Sequence, residues 1–229
     1  MPLDYIVYDI FTSMSEELDN PLILRNRIVW TFGHGLNSTA RFSGRHEMIL
    51  WFTKGTQTIF NLDEVRIPQK YPGKRSYKGP NKGQLSGNPI GKNPSDVWDI
   101  PNVKANHIEK TIHPCQFPVT IPQRLIKALT NKNGLVLDPF MGSGTTGVAA
   151  LVEGRRFVGS EIQKSYFDIS VGRIKDAAEG KAKVREDKPV AEPNPNATVA
   201  KLPDEFRKIR EIDDEKKVHR KEASYSETN

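Results

Sequence analysis

Between Gly134 and Gly147 the chain concentrates residues that can hold a small polar ligand. Leu135, Val136 and Leu137 form a short apolar run. Asp138, Pro139 and Phe140 follow it, and Gly142, Ser143, Gly144, Thr145 and Thr146 lead into an Ala-rich stretch ending at Val152. An apolar run of this length between turn residues predicts a strand covered on both faces. Gly142 and Gly144 permit a tight turn and let a ligand approach without a Cβ in the way. A helix opening at Thr145 presents N–H groups and a partial positive charge at the same place. Glu161, just past a second strand at 156–160, is placed to accept hydrogen bonds from two ribose hydroxyls. Its other role is that of an acid at a helix N-terminus, favoured by the dipole. The expected chemistry is recognition of a nucleotide-type ligand at the carboxyl end of a parallel strand.

The glycines alone leave the ligand open. Gly142, Gly144 and Gly147 satisfy the G-x-G-x-x-G pattern of dinucleotide binding, with Glu161 as the ribose acid. A P-loop lacks its Lys here. A strand, turn and helix with no ligand is the plainest reading. Pro139-Phe140 adds an apolar wall, which suits a ligand with an adenine ring but no pyrophosphate.

These residues need elements to position them. Apolar residues Ile6, Val7, Ile10, Phe11, Met14 and Leu18 have helical spacing over 5–18, and Asn20-Pro21 ends that helix. Residues 22–32 and 47–53 read as strands. Residues 122–131 predict a helix before the glycine turn, and 163–178 a helix after the second strand, with Tyr166, Ile169 and Ile174 inward. Val97 to Pro101 is a short apolar anchor. Trp30, Trp51 and Trp98 read as core. No internal repeat is evident.

From Arg66 to Lys92 there are seven cations (Arg66, Lys70, Lys74, Arg75, Lys78, Lys82 and Lys92) and no Asp or Glu, with Tyr71 and Tyr77 interleaved. Many Gly, Pro and Asn residues make this a mobile or loop-rich basic segment. Net charge is +6 over 229 residues, and the pI is about 9.3. Both favour a polyanionic partner. Cys115 is the single cysteine, which excludes a disulfide framework and a cysteine zinc site. The five histidines show no ligand spacing. No apolar run reaches membrane length and no signal peptide is visible, so a cytoplasmic location is expected. The composition divides the chain into segments 1–54, a basic insert at 55–110, 111–180 with the glycine turn, and a charged, partly disordered tail at 181–229. Pro189, Pro193 and Pro195 among polar residues give that tail a linker composition.

Four segments carry a resemblance to the amino-group DNA methyltransferases, which methylate adenine N6 or cytosine N4. Residues 138–146 with Glu161 resemble that family's cofactor motif, and His113-Pro114-Cys115-Gln116-Phe117-Pro118 resembles the motif just before it. Residues 25–35 look like the segment beside the target-base pocket, and 42–52 like the strand and turn that follow. The order is similar to the permuted beta class, which implies that 1–54 is a remnant of the catalytic half on the target-base side, 55–110 a DNA target-recognition insert and 111–180 the cofactor-binding half. The resemblance implies an open, mostly parallel, Rossmann-like α/β sheet. It also implies a site-specific methylase of restriction-modification or phage type, adenine N6 favoured over cytosine N4, with S-adenosylmethionine as methyl donor, a flipped-out base and direct attack on the methyl with no covalent enzyme intermediate. Carried over residue by residue, His113, Pro114, Asp138, Pro139, Phe140, Gly142, Ser143, Gly144, Thr145, Thr146 and Glu161 would hold the cofactor. Double-stranded DNA would meet Arg41, Arg45, Lys70, Lys74, Arg75, Lys78, Lys82 and Lys92. His34, between two glycines, could reach a ligand or a phosphate, though loop surface is the plainer role.

One element of the family is absent. Its catalytic signature is (Asp/Asn/Ser)-Pro-Pro-(Tyr/Phe/Trp), and no Pro-Pro pair occurs in the sequence. The signature's oxygen acceptors draw the amine hydrogens away so that nitrogen can attack, while the aromatic ring stacks on the flipped base. No residue of this chain is therefore assigned as catalytic. The expectation is a methylase part whose catalytic strand is missing, with an uncovered apolar edge and a need for an upstream segment or partner chain. A non-catalytic cofactor- and DNA-binding subunit is the rival. A dinucleotide-dependent oxidoreductase fragment rests on the glycines alone.

Overall fold

The computed structural model describes residues 3–15, 19, 21–33, 35, 37–68 and 74–186. Residues 1–188 make one compact unit, and the second unit, 189–229, lies outside the described residues. In chain order the elements are α1 (Leu3–Ser15), β1 (Leu22–Thr31), β2 (His46–Lys54), β3 (Val97–Asp99), α2 (Thr120–Leu129), β4 (Leu135–Asp138), α3 (Thr145–Val152), β5 (Arg156–Gly159) and α4 (Lys164–Ala178). The fold is α/β. The described strands form two separate sheets rather than one open sheet. One is β2-β1-β3, with β1–β2 antiparallel and β1–β3 parallel. The other is the parallel pair β4–β5.

The apolar anchor at residue 97 is β3, paired at Trp30↔Trp98. Trp30 and Trp98 are buried with Ile28, Ile100 and Ile121, and the Trp30 indole N–H donates to the Ile100 carbonyl at 2.6 Å. Trp51 is half-buried and stacks on Phe60 at 5.6 Å. Helix α2 starts two residues before its expected position, so Pro122 falls in the first turn, where a missing N–H costs little. The helix serves two cores. Ile121 joins the tryptophan cluster, whereas Ile126, with Val119 just ahead of the helix, packs against Val148, Ala149 and Ala150 of α3 and Ala177 of α4. Burying each such aliphatic side chain stabilises by roughly 1.5–3 kcal/mol.

The expectation that β4 is covered on both faces is corrected here. Val136 and Phe157 pack beneath the helices, but Leu135 and Leu137 are 54% and 67% exposed, and Val158 of β5 is 53% exposed. Alternation along a strand puts these three on the opposite face, and no described element packs there. Helix α1 shows a second uncovered surface. Ile6, Ile10 and Met14, four residues apart, are all exposed, while Phe11 stacks on Phe52 of β2 at 5.2 Å.

If that sheet face contributes nothing to the fold described, Leu137→Lys will leave the urea midpoint within about 0.5 kcal/mol of wild type and reduce self-association in sizing. Val119→Ala, at a fully buried position, will cost roughly 1–3 kcal/mol. A large loss of stability in Leu137→Lys would show that the face is covered.

Candidate functional site at the glycine turn

The turn sits where β4 and β5 end side by side, at the pair Asp138↔Gly159. Gly142 and Gly144 have φ of +52° and +75°, in the left-handed region that suits glycine. Neither has room for a side chain. A Cβ on Gly142 would lie 2.9 Å from Nε2 of His113, and one on Gly144 would lie 2.8 Å from the Ser170 Cβ. Gly147 is a packing residue. A Cβ there would meet Ile174 at 2.7 Å and Phe157 at 2.8 Å. The third glycine of the pattern thus seats α3 on the sheet and α4.

Each of the two carboxylates accepts from a backbone N–H of the turn. Asp138 Oδ1 accepts from the Phe140 N–H at 3.1 Å. Glu161 Oε2 accepts from the Gly142 N–H at 3.0 Å, and Oε1 accepts from the Gln163 N–H at 2.8 Å, just ahead of α4. Glu161 thus takes the role of an acid at the start of a helix, and carboxylate oxygens retain lone pairs for further donors. Phe140 is 88% exposed, and Ile162, beside Glu161, is fully exposed. The mouth thus offers two carboxylates and two apolar side chains at the ends of adjacent strands. His113 completes the group, with its ring edge-on to Tyr166 at 4.5 Å and its Nδ1 buried without a hydrogen-bond partner.

Ser143 and Thr145 turn inward. Both are buried, and the Arg173 guanidinium holds them: Nη1 donates to the Ser143 carbonyl at 2.6 Å, to Ser143 Oγ at 3.1 Å and to Thr145 Oγ1 at 3.1 Å. Burial pushes the Arg173 pKa below its ordinary value, and Glu109 opposes that shift. Glu109 is itself buried and accepts from the Val119 and Arg185 N–H groups, both at 2.9 Å. Thr146 is half-buried, and Pro114 and Pro139 are exposed. Sequence reasoning missed Arg173, Glu109 and Ile162. A lone charge in a helix (Arg173), a lone acid in a turn (Glu109) and an Ile after an acid carry no motif, and only the contacts and exposure in the folded chain reveal them. A separate cavity of about 180 Å³ between α2, β1 and the insert, walled by Trp51, Phe60 and Trp98, includes none of these residues.

The expected DNA-facing residues are dispersed. Arg41, Lys74, Arg75, Lys78, Lys82 and Lys92 are exposed, Arg45 is half-buried and donates to Asn37 Oδ1 at 2.7 Å, and Lys70 lies outside the described residues, as do Tyr71 and His34. The basic segment carries more structure than loops alone. Residues 74–86 fold back through the Arg75↔Leu85 bridge, with Tyr77, Lys78 and Lys82 exposed. Among the described residues no helix is long and apolar enough to cross a membrane.

A family model described as DNA methylase, of the N6/N4 type, matches residues 3–172. The chain belongs to that family, which decides against the dinucleotide reading of the glycines. It is 49% identical over 170 residues to the type II methyltransferase M.BglII of Bacillus subtilis, covering 74% of this chain and 46% of that protein. It is 33% identical over 171 residues to the DNA adenine methyltransferase YhdJ of Escherichia coli, covering 72% and 58%. Among solved structures, the M1.HpyAVI–SAM complex aligns with a TM-score of 0.52 at 26% identity, covering 76% of this chain and 71% of that one. The PvuII cytosine-N4-specific DNA methyltransferase shares the fold, with a TM-score of 0.55 at 20% identity, covering 76% and 62%. The chain spans about half the length of the curated relatives it matches.

Arg173→Ala leaves a buried carbonyl and two hydroxyls without their donor, and such losses cost about 1–3 kcal/mol each at most. The expected result is an unfolding free energy, measured by urea titration, lowered by a total of roughly 2–4 kcal/mol. Gly144→Ala, strained in φ and crowded by Ser170, should fall by about 1–3 kcal/mol. A wild-type midpoint for either variant would mean that the turn is not held as described.

Proposed function

We propose that this chain is the cofactor- and DNA-binding part of a site-specific DNA methyltransferase that acts on an exocyclic amino group, adenine N6 in preference to cytosine N4. The observation that carries the reading is the pairing of Asp138 and Glu161 with exposed Phe140 and Ile162 around a turn too tight for any side chain. That set fits S-adenosylmethionine: carboxylates for hydroxyls and the amino group, apolar side chains for an adenine ring, and glycine where backbone must be close. When bound, this cofactor supplies an electrophilic methyl on a sulfonium. Glu161 would take the ribose hydroxyls while keeping the Gly142 N–H. Asp138, Pro139, Phe140, Gly142, Gly144 and Thr146 would line the site. Ser143 and Thr145 would hold the turn through Arg173. His113, with Pro114 beside it, would close over the methionine end, where its unpartnered Nδ1 has use for a polar group. Adenine is preferred because the Escherichia coli relative is named an adenine methyltransferase.

The amine must be activated by a Pro-Pro element that these residues lack. We infer that an upstream segment or a second chain supplies it and covers the apolar surfaces of β4–β5 and α1. Exposed Leu135, Leu137, Val158, Ile6, Ile10 and Met14 support this reading, because contiguous apolar surface is rarely left open to water. The exposed cations of the insert would bind DNA phosphates with strong salt dependence. The work would be done in the cytoplasm.

The expected result is a melting shift with S-adenosylhomocysteine and none with NAD, because a ligand of the folded state stabilises by mass action. Glu161→Ala should abolish the shift. Labelled methyl should reach DNA only when a Pro-Pro segment is supplied. Transfer by the chain alone would sink the two-part reading, and absence of any shift would sink the cofactor site.

A further inference from the structure

We propose that the cavity between α2, β1 and the insert is a second ligand site, one that takes a small planar heterocycle with a hydrogen-bond donor and an acceptor side by side on its edge. The cavity measures about 180 Å³, and Trp51, Phe60, Trp98 and the buried Ala128 line it. The Trp51 and Phe60 rings stack at 5.6 Å with 23° between their planes. The Arg124 guanidinium lies 4.8 Å from the centre of the Trp98 ring. An apolar cavity of about 150 Å³ takes up benzene, so this one fits a single small ring system. Aromatic walls favour a flat occupant that stacks on them.

Two lining residues carry polar groups that the fold leaves unused. Asn26 and Trp51 both line the cavity, both are half-buried, and they oppose each other directly across β1 and β2. Neither the Asn26 carboxamide nor the Trp51 indole N–H has a hydrogen-bond partner among the described residues. The other two indoles are satisfied: Trp30 donates to the Ile100 carbonyl at 2.6 Å and Trp98 to the Ser95 carbonyl at 2.8 Å. The strand register also breaks between Leu24 and Asn26. Bulges of this kind re-aim a side chain and recur beside binding sites. A carboxamide presents one donor and one acceptor together, so it pairs in bidentate fashion with an edge that offers the reverse.

The walls are fixed by the fold itself. The Asn61 N–H donates to the Ala128 carbonyl at 2.7 Å, and Asn61 Nδ2 donates to the Lys127 and Thr130 carbonyls at 3.1 and 2.9 Å. These bonds fasten the segment carrying Phe60 to the end of α2. The Val29 N–H donates to the Asp96 carbonyl at 2.8 Å, which fastens the chain beyond the 66–92 basic run to β1. A heterocycle in the cavity would therefore join both flanks of that run to α2. The cavity borders the last turns of α2, ahead of β4, whereas the glycine turn follows the end of β4. The inference thus stands apart from the cofactor reading.

The experiment titrates the chain with 2-pyridone, whose ring N–H and carbonyl are adjacent, and with benzene, which has the same size and no polar edge. Ligand-observed NMR and the melting temperature follow binding. Wild type should gain a concentration-dependent melting shift with 2-pyridone and a smaller one with benzene. Asn26→Leu should bind 2-pyridone about tenfold more weakly and benzene no worse. Trp51→Phe keeps an aromatic wall but removes the donor, and it should weaken 2-pyridone several-fold. The melting temperature of each variant without ligand controls for folding, and either variant alone suffices if the other does not fold. Glu161→Ala should bind 2-pyridone like wild type. No 2-pyridone binding by wild type, or benzene bound as well as 2-pyridone, overturns the proposal. So does unchanged 2-pyridone affinity in Asn26→Leu and Trp51→Phe. Loss of 2-pyridone binding in Glu161→Ala would assign the ligand to the glycine turn and overturn it as well.

Discussion

The backbone between Asp138 and Thr145 turns through two left-handed glycines, and other residues occupy the space their side chains would have filled. His113 lies over Gly142, Ser170 over Gly144, and Ile174 with Phe157 over Gly147. Together these contacts join three elements to the end of β4. The segment before α2 arrives with His113, α4 with Ser170 and Ile174, and β5 with Phe157. The absence of three Cβ atoms therefore lets a three-helix layer pack on two short strands whose ends carry Asp138 and Glu161.

Charge holds what shape permits. Arg173 reaches from α4 to bind the Ser143 carbonyl and two hydroxyls. Glu109, buried nearby, offsets part of the electrostatic cost while fixing the start of α2 and the chain at Arg185. Glu161 ties the turn to the entry of α4. The polar groups of the turn are largely satisfied from inside the protein. The groups left for a ligand are carboxylate lone pairs and the exposed Phe140 and Ile162.

Helix α2 explains how two small sheets make one unit. Its first turn enters the tryptophan core of β1 and β3, and its later turns enter the core under α3 and α4. The uncovered faces of β4–β5 and α1 then stand out as apolar area without a partner among the described residues, in a chain that spans about half the length of the curated relatives it matches.

The local pattern of the sequence determined the strand, turn and helix at 135–152, the elements β1, β2 and α4, the tryptophan core and the acids at both strand ends. Each follows from short-range rules: glycine tolerates positive φ, alternation marks strands, and an acid after a strand lies at its carboxyl end. The family resemblance came from the same residues. Three features could be decided only by tertiary structure. β4 carries an apolar run yet is covered on one face, because coverage depends on elements distant in sequence. Ser143 and Thr145 read as ligand-facing residues but point toward Arg173, because the direction of a hydroxyl is set by the nearest buried donor, here 28 to 30 residues away. The separation of the strands into two sheets joined by α2 also lies beyond local reading, since hydrophobic periodicity states which side of an element is buried but never against what.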